Sequence, residues 1–222
     1  MERAKIYVAE ALATWETRSA LSYVPDFSFL FDVVRESKVH LKWLDQPRTF
    51  VTSRLEAIIW AKEMLSADTV IIDTETTGLP RDYPHTEVIE LAIITSKGRK
   101  VFDELFRPLK RIPERVIRIH GITNSDVKGA PRLREYAGAI RRLLDGKTVI
   151  SYNANFDREV INRTFDFHGE EPPSCNWQCA MKTYRTFEQS GRYLKLPAAK
   201  HRALGDARAT LNLVRNMARA GA

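Results

Sequence analysis

Two carboxylates lie two residues apart in Asp73-Thr74-Glu75-Thr76-Thr77-Gly78-Leu79, immediately after the apolar run Thr69-Val70-Ile71-Ile72. Side chains of an extended strand alternate between faces, so Asp73 and Glu75 point the same way and can converge on one divalent cation. Two co-facial acids at the end of an apolar strand repel each other, and a cation relieves that repulsion. Taken alone, the segment also reads as a strand ended by acids, with Thr-Thr-Gly as its turn. Two downstream clusters weigh against that simpler reading. Ser151-Tyr152-Asn153-Ala154-Asn155-Phe156-Asp157 follows Thr148-Val149-Ile150 and opens a helix-like segment; His201-Arg202-Ala203-Leu204-Gly205-Asp206-Ala207 opens another.

Four carboxylates (Asp73, Glu75, Asp157 and Asp206) without a competing thiolate suit a hard cation, Mg²⁺ or Mn²⁺, better than zinc. Two such ions roughly 3.5–4 Å apart supply what phosphodiester hydrolysis needs, a nucleophile at neutral pH and charge neutralisation on the phosphate. Histidine titrates close to neutrality, which makes His201 the candidate general base for the attacking water. A lone histidine is more often an exposed or core residue; the following Gly205-Asp206 is what singles this one out. It stands five residues before Asp206, which is not a same-face helical spacing, so His201 is expected on a loop and Asp206 at the start of the last helix.

Asp73-x-Glu75, then Asn153-x-x-Phe156-Asp157, then His201 with Asp206, in that order, resembles the DEDDh subgroup of the DnaQ-like 3′-5′ exonucleases, the group of bacterial proofreading subunits and ribonuclease T. The resemblance runs from about Thr69 to the C-terminal helix. It implies that Asp73 bridges two metal ions, that Glu75 and Asp206 complete one site, and that the other ion stays mostly hydrated. It also implies that Thr76, Thr77 and Gly78 meet the 3′-terminal nucleotide through backbone N–H groups, that Leu79 wedges against its base, and that Asn153 and Phe156 line the same pocket. His120-Gly121-Ile122-Thr123 resembles a family loop near that nucleotide, which adds His120 to the substrate-binding set. From the residues alone, Leu79 and Phe156 equally read as core packing. The chain departs from the family twice. Tyr152 stands where a histidine often precedes the motif asparagine, and the stretch from Met181 to His201 is short and basic where the family has a helix and a longer loop.

The formal net charge is +7, from 35 Lys and Arg against 28 Asp and Glu, which favours an anionic partner. From Met181 onward Lys182, Arg185, Arg192, Lys195, Lys200, Arg202, Arg208, Arg215 and Arg219 face only Glu188 and Asp206. Such a tract around a carboxylate site holds a phosphate backbone largely regardless of base sequence; without the motifs it reads equally as a solvated face. Cys175 and Cys179, four apart in a segment that can be helical, read as free thiols of a reducing compartment. The N-terminus shows no uninterrupted apolar stretch of a secretory signal, and no stretch approaches the roughly 20 apolar residues of a membrane span. A cytoplasmic protein without a membrane partner is expected.

The elements that must position these residues follow from periodicity. Strands are predicted over residues 69–74, 88–95, 100–106 and 148–152, with Ser96-Lys97-Gly98-Arg99 as a hairpin connection. Helices are predicted over residues 132–144 and 155–167, and a short segment over 113–119. Strands first and then alternating helix and strand describe an α/β fold with a mixed sheet flanked by helices, in agreement with the ribonuclease H-like fold of the resembled family. Residues 69–222 form the expected exonuclease domain. Residues 1–68 form a mainly helical N-terminal extension packed on it, with a helix from Ser53, capped by a Ser53/Glu56 box, another around Phe27, Leu30, Phe31 and Val34, and a short strand over residues 48–52. The function expected is a metal-dependent 3′-5′ exonuclease on single-stranded or frayed DNA, releasing nucleoside 5′-monophosphates, with a polymerase or repair partner. An RNA-trimming enzyme shares every catalytic residue. A nucleic-acid-binding module with a vestigial site is the reading from another class; its signature is a missing acid or histidine, and none is missing.

Overall fold

Five strands form one sheet in the order β3-β2-β1-β4-β5, with β1 at its centre. The structure, a computed structural model, describes residues 48–66 and 68–220. The chain order is α1 (Arg48–Ser66), β1 (Thr69–Thr76), β2 (Val88–Thr95), β3 (Lys100–Leu105), α2 (Glu114–His120), α3 (Leu133–Leu144), β4 (Thr148–Ser151), α4 (Ala154–Phe167), β5 (Asn176–Cys179), α5 (Ala180–Glu188) and α6 (Ala203–Arg219). The first three strands are antiparallel neighbours, and β4 and β5 join parallel to β1. This is the mixed sheet that the strand-then-alternation pattern predicts.

Both faces of the sheet are covered, which explains why β1 and β2 read as nearly continuous apolar runs. Ile71, Ile94 and Ile150 pack with α1, α5 and α6, whereas Val70, Ile72 and Val149 pack with α3 and α4. Each fully buried isoleucine or leucine contributes roughly 1.5–3 kcal/mol by leaving water. By strand alternation Asp73 and Glu75 share the parity of Ile71 and therefore the face of α6. Thr74, of opposite parity, looks toward α4.

The two helices that deliver the downstream acids do so on their buried stripes. In α6 the buried positions Ala203, Asp206, Ala207, Thr210, Leu211, Val214 and Met217 recur at helical spacing, so Asp206 faces inward with the apolar residues. Asp157 occupies the equivalent place in α4, beside Ala154, Val160 and Ile161. Each acid lies in the first turn, where the positive end of the helix dipole favours a carboxylate.

Several N-terminal and connecting elements differ from the sequence expectation. Helix α1 already runs through residues 48–52, where a short strand is expected, and Ser53 lies inside the helix instead of capping it. A helix already nucleated at Ser53 gains one backbone hydrogen bond for each residue added, which outweighs the weak local preference of residues 48–52. Helix α1 itself lies against the core: Ala57, Ile58 and Ala61 enter the cluster with α6, the Trp60 indole donates to Gln178 Oε1 at 3.0 Å, and the Arg54 guanidinium lies 3.7 Å from the Phe187 ring centroid. The helix read around Phe27 falls outside the described residues. Cys175 and Cys179 flank and end strand β5 instead of lying on a helix, and both are free thiols. The basic stretch before His201 begins with α5, so a helix precedes the histidine after all.

Candidate active site

The site forms where β1 ends. Glu75 is buried on β1 and Asp206 on α6, while His201 is exposed on the loop before α6. One ligand atom from each of these three lies within 4.8 Å of the other two. Asp73, partly exposed, stands two residues before Glu75 on the same face. Asp157 approaches from α4, and its two oxygens are both engaged: Thr74 Oγ1 donates to Oδ1 at 2.8 Å and Ser151 Oγ donates to Oδ2. Thus Glu75, His201 and Asp206 make the tight cluster, and Asp73 and Asp157 flank it.

Electrostatics describe a set of carboxylates with more negative charge than Arg202, the cation paired with Glu90, can offset. Burial, then the carboxylates of Asp157, Glu75, Asp206 and Glu90, raise Asp73 well above the usual carboxylate range. Burial first, then Asp206, Glu90 and Asp157, push Glu75 up to about 8. Asp157 rises to about 6 through burial, held back by the hydrogen bonds from Ser151 and Thr74. The donor set is oxygen with one imidazole and no thiolate, which fits Mg²⁺ or Mn²⁺. A divalent cation held by these residues would supply the positive charge that their ionised forms need.

This has a stability signature. Glu75 has an ordinary value of 4.5 and a folded value of about 8, so between the two the folded state holds a proton that the unfolded state has lost. The stability from this group is complete below the lower value and disappears as pH rises through the higher one. A saturating cation restores the ionised form. The difference in melting temperature between Mn²⁺-loaded and EDTA-treated protein is therefore expected to widen from about pH 5 to about pH 8. A difference that stays constant across that range contradicts the cation site.

Glu90 joins the site although the sequence reading did not select it. It pairs across the ladder with Glu75 and is buried. Its Oε1 accepts from Arg202 Nη2 at 2.6 Å, and its Oε2 accepts from the Ala203 N–H at 2.8 Å. Glu90 thereby fixes the residue before α6 and the first residue of that helix. Asp206 closes the circuit, accepting from the Lys200 N–H at 2.8 Å and the His201 N–H at 3.2 Å. The signal in the sequence is an acid inside the apolar run Val88-Ile89-Glu90-Leu91-Ala92-Ile93; its partner, 112 residues away, is not visible there.

The expected nucleotide-binding residues separate. Leu79 is 42% exposed, in keeping with a wedge and against core packing, whereas Phe156 is half-buried against the α3–α4 cluster. Thr77 differs from the expectation, because its N–H already donates to Glu87 O at 2.9 Å and its hydroxyl accepts from the Glu87 N–H at 2.9 Å. It ties the turn down and has no backbone donor left for a ligand. Thr76 donates its hydroxyl to Gly78 O at 2.7 Å and shapes the same turn. Asn153 begins α4, its carbonyl accepting from Phe156 N at 2.8 Å. His120 is buried; its Nδ1 accepts from the Ile122 N–H at 3.0 Å, and burial lowers its pKa. Gly121, at φ 75°, ends α2 behind it.

Tyr152 explains the departure from the family pattern. Its hydroxyl donates to Leu194 O at 2.5 Å, anchoring the basic stretch that leads to His201.

A mixed sheet with acids converging at the end of its central strand is an arrangement suited to metal-assisted hydrolysis. The sequence pattern of the exonuclease family RNase_T matches residues 70–214. The chain belongs to that family and is an exonuclease. It is 32% identical over 185 residues to "uncharacterized exonuclease CP81" of Escherichia phage 186, covering 73% of this chain and 94% of that one. It is 31% identical over 105 residues to the DNA polymerase III subunit epsilon of Treponema pallidum, covering 46% of this chain and 48% of that one. Against the polymerase III epsilon-like protein of Rhodobacter capsulatus it spans only 14% of the relative. Among solved structures, the DEDDh nuclease domain of 3′hExo bound to rAMP superposes with a TM-score of 0.57 at 18% identity, covering 69% of this chain and 94% of that one. E. coli exonuclease I with a dA16 oligonucleotide superposes at 0.56 and 18% identity, covering 68% and 41%. These likenesses support the fold.

Proposed function

We propose that the protein hydrolyses the terminal phosphodiester at the 3′ end of single-stranded or frayed DNA and releases nucleoside 5′-monophosphates, using two Mg²⁺ or Mn²⁺ ions. The observation that carries this reading is the cluster of Glu75, Asp206 and His201 beside Asp73 and Asp157. Asp73, Glu75, Asp157 and Asp206 hold the ions, which when bound supply charge neutralisation and a more acidic water. His201 takes the proton of the attacking water. Leu79 bears on the terminal base, while Gly78, Thr76 and Thr77 shape the turn beneath it; His120, Asn153 and Phe156 line the pocket wall. Residues 69–222 are the catalytic unit in this reading, with the extension 1–68 resting on it through α1. The relatives named as DNA polymerase III subunit epsilon or epsilon-like favour DNA over RNA and a polymerase partner. Free thiols suit a cytoplasmic setting.

A competition between equal amounts of single-stranded DNA and RNA of one sequence, with products separated chromatographically, tests the assignment. Faster consumption of DNA with nucleoside 5′-monophosphates is the expected result. Faster consumption of RNA moves the protein to RNA trimming, and 3′-monophosphates exclude the proposed bond cleavage.

Glu90→Gln is expected to lower kcat about 10- to 100-fold and to raise the Mn²⁺ concentration needed for half-maximal rate, since Arg202 and the start of α6 lose a charged anchor. An unchanged metal requirement removes Glu90 from the site.

A further inference from the structure

The connection between α5 and α6 is pinned at two points on the acid-bearing face. At one, Tyr152 holds Leu194 O; at the other, Glu90 holds Arg202 and Ala203. Strand β4 pairs with β1 so that Ile150 stands opposite Ile71, and Tyr152, just past the end of β4, packs in one cluster with both, on the face that carries Asp73. Glu90 stands opposite Glu75 on the other side of β1. The segment from Leu194 to Arg202 therefore arches over the end of β1, from the β4 flank to the β2 flank. Its path is fixed by Leu196, which packs into the core, and by left-handed backbone at Ala198 (φ 61°) and His201 (φ 53°).

At the β4 anchor, Tyr193 is 64% exposed, more than any other large hydrophobic side chain among the described residues. Arg192 and Lys195 beside it are also exposed, and no carboxylate pairs with either among the described residues. Anchoring the backbone of Leu194 restrains the two residues flanking it, so an outward-facing ring and a cation, with Arg192 next to them, are presented at the β4 flank of the acid-bearing face with little freedom left to lose. An exposed, restrained aromatic ring between cations is the equipment for a single-stranded nucleic acid: the ring takes a base face and the cations take phosphates. Duplex would bury its base faces against each other and leave the ring without a partner.

We propose that Arg192, Tyr193 and Lys195 form a platform for the nucleotides preceding the 3′-terminal one, with Tyr193 stacking on a base and the two cations contacting the backbone. This rests on the exonuclease reading for the direction of the strand, but the contact itself requires no cleavage.

The test uses the full chain carrying Asp73→Asn, in EDTA, and measures binding of a fluorescent single-stranded oligonucleotide of about 12 residues by anisotropy, with and without Tyr193→Ala. Tyr193→Ala is expected to weaken binding about 5- to 100-fold and Tyr193→Trp to restore it. Arg192→Ala and Lys195→Ala are each expected to reduce the salt dependence of the binding constant by about 0.7 in log–log slope. In the active protein the ratio of kcat/KM for the long oligonucleotide to that for a dinucleotide is expected to fall with Tyr193→Ala, a change that general loss of structure does not produce. Equal binding by Tyr193→Ala, or an unaltered ratio, overturns the platform. If the active protein fails to cleave while Tyr193→Ala still weakens binding, the exonuclease reading falls and the platform stands. Cleavage with a neutral Tyr193→Ala gives the reverse.

Discussion

Asp73→Asn is expected to lower the cleavage rate by at least about 10³-fold while making the metal-free protein more stable. The two effects have one cause. Asp73 is raised well above the carboxylate range by burial and by four neighbouring acids, so in the absence of a cation its charge works against the fold. An amide of the same shape removes that repulsion and removes a ligand oxygen with it. A gain on the order of 1 kcal/mol corresponds to roughly 2–4 °C in melting temperature for a chain of this size. Thermal unfolding in EDTA beside a turnover assay checks both. A variant that is inactive and less stable than wild type points instead to a structural role for Asp73. One that remains active removes Asp73 from the metal site.

His201→Asn is expected to reduce kcat by about 10²- to 10⁴-fold with KM nearly unchanged, the effect of losing a general base. The choice of asparagine matters because His201 has left-handed backbone, φ 53°, which asparagine tolerates better than alanine. The N–H that His201 donates to Asp206 survives the change, so the loop keeps its tie to α6. Steady-state kinetics on a labelled oligonucleotide separates the outcomes. A loss confined to KM makes His201 a substrate contact, and an unaltered kcat ends its assignment as the base.

The parts of this site that were legible in the sequence are those carried by short-range patterns. Asp73 and Glu75 announce a shared face because strand alternation acts over two residues, and strand β2 is found over the residues its apolar run marks. Asp157 and Asp206 could be placed at helix starts because helical periodicity begins with them. What the sequence concealed depends on distant partners. Glu90 looks like one acid in a strand until Arg202 arrives from the other end of the chain, and Tyr152 looks like a substitution until its hydroxyl meets Leu194. Thr77 appeared to offer an N–H to a ligand, and only the return of the chain through Glu87 shows that donor to be occupied. The start of α1 is a further case: residues 48–52 have no decisive local preference, and the helix that follows extends back through them.

The central claim is that this acid cluster shortens nucleic acid from the 3′ end with the help of divalent cations. The measurement that tests it most directly follows a 5′-labelled single-stranded DNA incubated with wild type or Asp73→Asn, in Mg²⁺, in Mn²⁺ and in EDTA, and resolves the products on a denaturing gel. A ladder that shortens stepwise from the 3′ end with either metal, disappears in EDTA and is absent in the variant is the predicted result. A ladder that persists in EDTA or in Asp73→Asn, or an intact strand in the presence of both metals, contradicts it.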